Sequence, residues 1–365
     1  MVAGRSKRAA RLAATDVYVN WEVTHQCNLR CRTCHVAAGE GLPQELSGER
    51  FSDLLASVLS VREALGESSR LGFTFTGGEP TTNPGLPSFV SRARAEDCVG
   101  VISVVTNGLL VDRDLALRLA DSGLDWLAIS LDGGSARTHD LIRGEGTFRA
   151  AIEALRVAVE YTDLYVSTSL TVTGPSLSEL EQYVQLVYDI GANQAHVNPF
   201  IPTGRGATHA ELLVPPARQW ELMRLLRALE LQYLGRDFLV TYGEPFFGLT
   251  DPVEAFGELK YVERKAACGL ATKAITLSPS GDVLPCAYMR HLVVGNVGHQ
   301  SLSQVWSSEA MVQLRDNSLL KGVCQTCAFR DYCRGCRARA WLTSGDLFAE
   351  DPLCPLVSAA KGETA

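Results

Sequence analysis

The sequence predicts an α/β protein: an incomplete barrel of the TIM type, a partial (β/α)6, followed by a smaller cysteine-rich domain. Strand-like segments alternate with helical patterns from residue 17 to about 235. Such alternation gives a parallel sheet with right-handed crossovers. Seven of the eleven cysteines fall between 268 and 354, which marks a second, metal-organised unit. Six strand–helix units fall short of the eight a closed barrel needs, and the cysteine-rich tail leaves no room for two more.

The first strand is read over 17–23, where Val17, Val19, Trp21 and Val23 alternate with other residues at the two-residue period of a strand. Five more strands are read at 72–76, 101–105, 126–130, 164–168 and 194–198, with helices at 51–65, 114–122, 147–161 and 177–190 between them. A further helix covers 216–234. The expected organisation is a tail at 1–16, a core at 17–235, a bridging segment at 236–265, a cysteine-rich domain at 266–356 and a short tail at 357–365. Functional residues in such barrels lie at the C-terminal ends of the strands.

Composition narrows the function classes. The chain of 365 residues is 46% hydrophobic and 21% charged, enough for a substantial core. A net charge of −7 gives no basic field for a nucleic-acid backbone, so no nucleic-acid partner is expected. The basic run Arg5-Ser6-Lys7-Arg8 with Arg11 reads as a solvated tail. No apolar stretch is long enough to span a membrane or follows the basic start as a signal peptide would, so a cytoplasmic location is expected. Eleven cysteines in a cytoplasmic chain argue for metal ligation over disulfides.

Cys27, Cys31 and Cys34 follow the first strand, at the functional end of the barrel. Three thiolates in a short loop can hold three irons of a 4Fe–4S cluster and leave the fourth open, whereas structural metal sites are closed. A zinc loop short of one ligand is the bland alternative. The 3-then-2 spacing of the triplet resembles the radical S-adenosylmethionine (SAM) superfamily. That resemblance implies that the open iron binds SAM and that the reduced cluster cleaves it to a 5′-deoxyadenosyl radical, which takes a hydrogen atom from substrate. Thr33 departs from the family habit of an aromatic residue before the third cysteine.

Gly77, Gly78, Glu79 and Pro80 end the second strand, where glycines let a backbone approach a ligand closely. In this context they match the motif that binds the SAM amino group. Ser130 and Arg143 would help bind SAM by the same resemblance, while Asp132 reads equally as a helix N-terminal acceptor. Asn107 sits in a common turn. The second Gly-Glu-Pro, at 243–245, reads as a turn, with Tyr242 and Glu244 as possible substrate contacts. Arg205, in a Pro-Thr-Gly-Arg-Gly loop after the sixth strand, is a candidate for holding a carboxylate or SAM, or else an exposed loop arginine. His25, His35 and His196 read as packed or solvated side chains.

The tail cysteines resemble the SPASM domain, which holds two auxiliary 4Fe–4S clusters; two close cysteine pairs also suit a zinc ribbon. The resemblance implies Cys324, Cys327, Cys333 and Cys354 on one cluster and Cys268, Cys286 and Cys336 on the other, whose fourth ligand is not a cysteine. Cys98, left over, reads as a small buried hydrophobe at the opposite end of the barrel. With no cysteine between Cys98 and Cys268 to return a hydrogen atom, epimerisation is disfavoured.

The closing stretch from Gly335 to Pro352 looks like the branch of haem-synthesis and cofactor-maturing enzymes. Auxiliary clusters suit a net two-electron oxidation, because a substrate radical must lose a further electron. The first expectation is therefore an oxidoreductase acting on a small molecule, by dehydrogenation or oxidative decarboxylation, with flavodoxin or ferredoxin as electron donor. The second is a peptide-modifying enzyme; only 26 residues precede Cys27, short of a leader-binding domain. The third, from another class, is a zinc-binding, non-catalytic protein.

Overall fold

A computed structural model describes residues 15–41, 46–250 and 268–361. The basic N-terminal run, the second half of the bridging segment and residues 362–365 lie outside the described residues.

All six expected strands form: β1 (Val17–Thr24), β2 (Leu71–Gly77), β3 (Val99–Thr106), β4 (Trp126–Ser130), β5 (Tyr165–Val172) and β6 (Gln194–Pro199). Each pairs in parallel with the next. Two further parallel strands extend the expected set. β7 (Leu239–Tyr242), in the segment read as a bridge, pairs with β6. β8 (Ala274–Leu277), from the cysteine-rich region, pairs with β1 at the other edge. β9 (Asp282–Leu284) and β10 (Gly295–Asn296) follow antiparallel, completing one open ten-stranded sheet.

Helices cover the outer face. α1 (Gly48–Leu59) starts where the Ser47 hydroxyl accepts from Arg50 N, a cap that satisfies one free helix N–H. It buries Phe51, Leu54, Leu55 and Val58, and the Phe51 ring lies 4.7 Å from that of Trp21 on β1. The expected helix 51–65 ends early, at Leu59, and resumes at Arg62–Leu65. The expected helix 177–190 also divides, into Gly174–Leu177 and Leu180–Ile190. Thr173 and Ser176 form a capping box that starts the first piece three residues before the expected helix.

The cysteine-rich region sits at the C-terminal end of the barrel. Besides the β1–β8 pairing, Arg290 donates to both carboxylate oxygens of Glu22 near the end of β1, at 2.6 and 3.0 Å. Among the described residues, no helix is long and apolar enough to cross a membrane.

Candidate active site

β1 runs into a loop that closes on itself: Cys27 N donates to Gly39 O at 2.8 Å and Gly39 N to His25 O at 3.1 Å. This loop carries Cys27, Cys31 and Cys34. The end of β2 docks on it, with Gly78 N donating to Thr24 O at 2.7 Å and Glu79 N to Gln26 O at 2.8 Å. A side chain at Gly78 would collide with the Gln26 carbonyl, and Gly77 has φ +128°, a region L side chains rarely adopt. The paired glycines are thus required by the approach of two backbones. Asn107, in the turn after β3, donates from Nδ2 to Asn28 Oδ1 at 2.7 Å and so also touches the loop.

Glu79 is buried, and its carboxylate is surrounded by donors. Oε1 accepts from the Thr106 hydroxyl at 2.6 Å and the Thr81 hydroxyl at 2.5 Å, and Oε2 from Asn107 N at 2.7 Å. Burial pushes its pKa up and these donors oppose the push. The side chain therefore ties together the turns after β2 and β3 beside the loop. Ser130 is buried at the end of β4. Asp132 accepts from Arg143 Nε at 2.6 Å and from Thr171 N at 2.8 Å. This ion pair holds the Arg143 guanidinium close enough to Cys31 to draw its thiol pKa downward, against burial, which pushes it up to about 11.

The remaining cysteines fall into two groups. Cys324, Cys327, Cys333 and Cys354 line one small cavity. Cys268, Cys286 and Cys336 line a second, larger one of about 220 Å³ that is open to solvent, together with Asn198, Tyr242, Glu244 and Tyr288. Burial pushes the Cys336 thiol up to about 12 and Cys354 to about 11, and raises Cys286 and Cys333 further. Clustered thiols that resist ionisation in the free chain are ligands that lose their protons when a metal binds. Three and four soft sulfur donors around each cavity, and three more in the loop, fit iron–sulfur clusters.

Residues 21–187 match the model of the radical SAM superfamily, and residues 268–337 that of an iron-sulfur cluster-binding domain, SPASM. The chain belongs to the radical SAM superfamily. Across 92% of its length it is 30% identical to the AdoMet-dependent heme synthase of Methanosarcina barkeri, covering 95% of that protein. It is 31% identical over 93% of its length to the mycofactocin maturase MftC of Mycobacterium ulcerans, covering 87% of it. Its fold is that of Streptococcus suis SuiB, solved bound to precursor peptide SuiA. The TM-score is 0.73 at 16% identity, over 96% of this chain and 79% of SuiB. The chain is a radical SAM enzyme with a C-terminal SPASM domain, and these domains imply 4Fe–4S clusters and SAM.

In this radical SAM enzyme the three residues read as catalytic candidates have distinct settings. Arg205 faces the cysteine loop: its guanidinium donates to Cys31 O at 3.2 Å and Ala38 O at 2.6 Å, and its N–H to Cys34 O at 2.9 Å. Its charge is committed to loop carbonyls. Tyr242 lines the open cavity. Glu244 lines it too, but its carboxylate is gripped by Arg339, which also binds Asp351. His35 is packed, its ring 4.9 Å from that of Tyr288. Cys98 lies just before β3, at the opposite end, against the core.

Sequence reasoning passed over Glu22, Arg290 and Arg339. Glu22 left a signal: a carboxylate within a largely apolar strand needs a partner when buried. The two arginines left none, since Glu22 lies 268 positions from Arg290 and Glu244 lies 95 from Arg339.

Proposed function

We propose that the chain is a radical SAM/SPASM oxidoreductase that oxidises a small molecule in cofactor or secondary-metabolite biosynthesis, by dehydrogenation or oxidative decarboxylation. The observation that supports this most is the open cavity at the mouth of the sheet. Its wall combines the ends of β6 and β7, through Asn198, Tyr242 and Glu244, with Cys268, Cys286 and Cys336. A substrate seated there is next to candidate auxiliary ligands, the arrangement an electron-accepting centre needs.

In this reading Cys27, Cys31 and Cys34 hold the SAM-binding cluster, and Gly77, Gly78, Glu79, Pro80, Ser130 and Arg143 face the SAM site. Bound there, SAM and the reduced cluster would supply a 5′-deoxyadenosyl radical, and auxiliary clusters would supply an electron acceptor. Arg205 and Glu79 keep the loop shaped, the first through carbonyls and the second through strand-end turns. Asp132 orients Arg143 for a SAM carboxylate, which a guanidinium can bind with two parallel hydrogen bonds. Tyr242, Tyr288 and Ile201 give the cavity an aromatic and aliphatic wall against which an apolar part of a substrate can pack. Reduced flavodoxin or ferredoxin is the expected donor.

The likeness to mycofactocin maturase favours a second reading, in which the substrate is a ribosomally made peptide. The zinc-binding reading loses ground to the match with an iron–sulfur domain.

The test is product mass. Reconstituted enzyme, SAM, reductant and candidate metabolites or short peptides are incubated anaerobically. A product lighter by two hydrogens, with or without loss of carbon dioxide, supports the oxidase reading. A product isomeric with its substrate contradicts it. Turnover of peptides alone reverses the order of the two readings.

A further inference from the structure

Glu244, Arg339 and Asp351 form a charged chain sealed from water, with side chains 0%, 5% and 0% exposed. Arg339 donates from Nη1 to Glu244 Oε2 at 2.7 Å, from Nε to Asp351 Oδ1 at 2.9 Å and from Nη2 to Asp351 Oδ2 at 2.6 Å. Its guanidinium also lies 5.3 Å from the centre of the Phe246 ring. One cation between two buried carboxylates is costly to desolvate, and apolar residues of equal volume are often as stable, so stability is a weak account of the chain.

Its contacts suggest a different task. Asp351 Oδ2 accepts from Cys336 N at 2.7 Å. The Asp351 carbonyl accepts from Cys354 N at 3.1 Å. One residue thus touches a member of each cysteine group. At the far end of the chain, Glu244 is part of the cavity wall.

We propose that Arg339 is a positioning residue for the auxiliary iron–sulfur centres. Through Asp351 it fixes the backbone of both ligand groups, and its charge sets the reduction potential of the centre held by Cys268, Cys286 and Cys336. Through Glu244 it ties that centre to the substrate cavity. The proposal rests on the cysteine groups holding clusters. Cluster potentials follow local charge and hydrogen bonding, so each charge removed has a predictable sign. Loss of the Arg339 cation disfavours the more negative, reduced cluster and lowers the potential. Loss of a carboxylate at Asp351 or Glu244 raises it.

The experiment uses full-length protein carrying Cys27→Ala, Cys31→Ala and Cys34→Ala, reconstituted anaerobically, so that only auxiliary signals remain. Iron and sulfide are counted and the clusters are poised at a series of potentials and read by EPR. With iron retained, Arg339→Gln is expected to shift the midpoint down, Asp351→Asn to shift it up, and Arg339→Lys to restore most of the wild-type value. Unshifted midpoints, or shifts of one sign in both variants, overturn the proposal. If Arg339→Gln fails to load, Glu244→Gln, which leaves the Asp351 contacts in place, must still raise the midpoint; an unchanged value overturns it equally. Absence of auxiliary iron in the protein with Arg339 intact would instead overturn the cluster reading beneath it.

Discussion

At the scale of single residues, the site depends on backbones that nearly touch. Gly78→Ala places a methyl group against the Gln26 carbonyl, so the end of β2 must move off the cysteine loop. We predict that this variant forms 5′-deoxyadenosine at less than about a tenth of the parent rate, a loss of about 1.4 kcal/mol or more in transition-state stabilisation. Auxiliary iron should be retained, as counted by iron assay. His139 offers a pH test. Burial is the main cause that lowers its pKa to about 4, with Arg143 adding to the effect, and Nδ1 accepts from Asp132 N. The folded pKa lies below the unfolded one, so the unfolded chain binds more protons between them. Stability from this site is full above about pH 6.5 and is lost as pH falls toward 4, by roughly 3 kcal/mol. Anaerobic thermal melts across that range should fall more steeply for the parent than for His139→Gln. The cysteines and paired glycines were legible because their spacing is local. The roles of Arg205 and Glu244 were not, because a guanidinium's or carboxylate's partner is fixed only by the fold.

At the scale of elements, the strand–helix alternation was legible wherever a segment was long and periodic. β7 was missed because Leu239–Tyr242 is four residues, too short to show a period. β8 was read into the metal domain, and no local pattern announces that it pairs with β1 across more than 250 positions. The join between the two regions depends on Arg290 and Glu22 as well as on that pairing. Removing one partner of a buried pair leaves an uncompensated charge, worth about 3–5 kcal/mol. Arg290 is 25% exposed, so water screens part of the effect. We expect Arg290→Met to destabilise by about 3 kcal/mol at most. Anaerobic melts should show a lower Tm, with a smaller drop in the double variant Arg290→Met with Glu22→Gln, which leaves no buried charge.

At the scale of the whole molecule, the proposed function gives each of the three cysteine groups one cluster. Three cubanes require about twelve irons per chain, and removal of Cys27, Cys31 and Cys34 should leave about eight. About two zinc ions and no sulfide would match the non-catalytic alternative instead. The central claim is that the first cluster has an open iron for SAM. The most direct measurement is mass spectrometry of anaerobically reconstituted protein after addition of SAM and a strong reductant, first alone and then with candidate substrates. An open iron requires 5′-deoxyadenosine from the parent and none from the variant lacking Cys27, Cys31 and Cys34. Equal 5′-deoxyadenosine from both proteins, or none from fully iron-loaded parent under any condition, would contradict it.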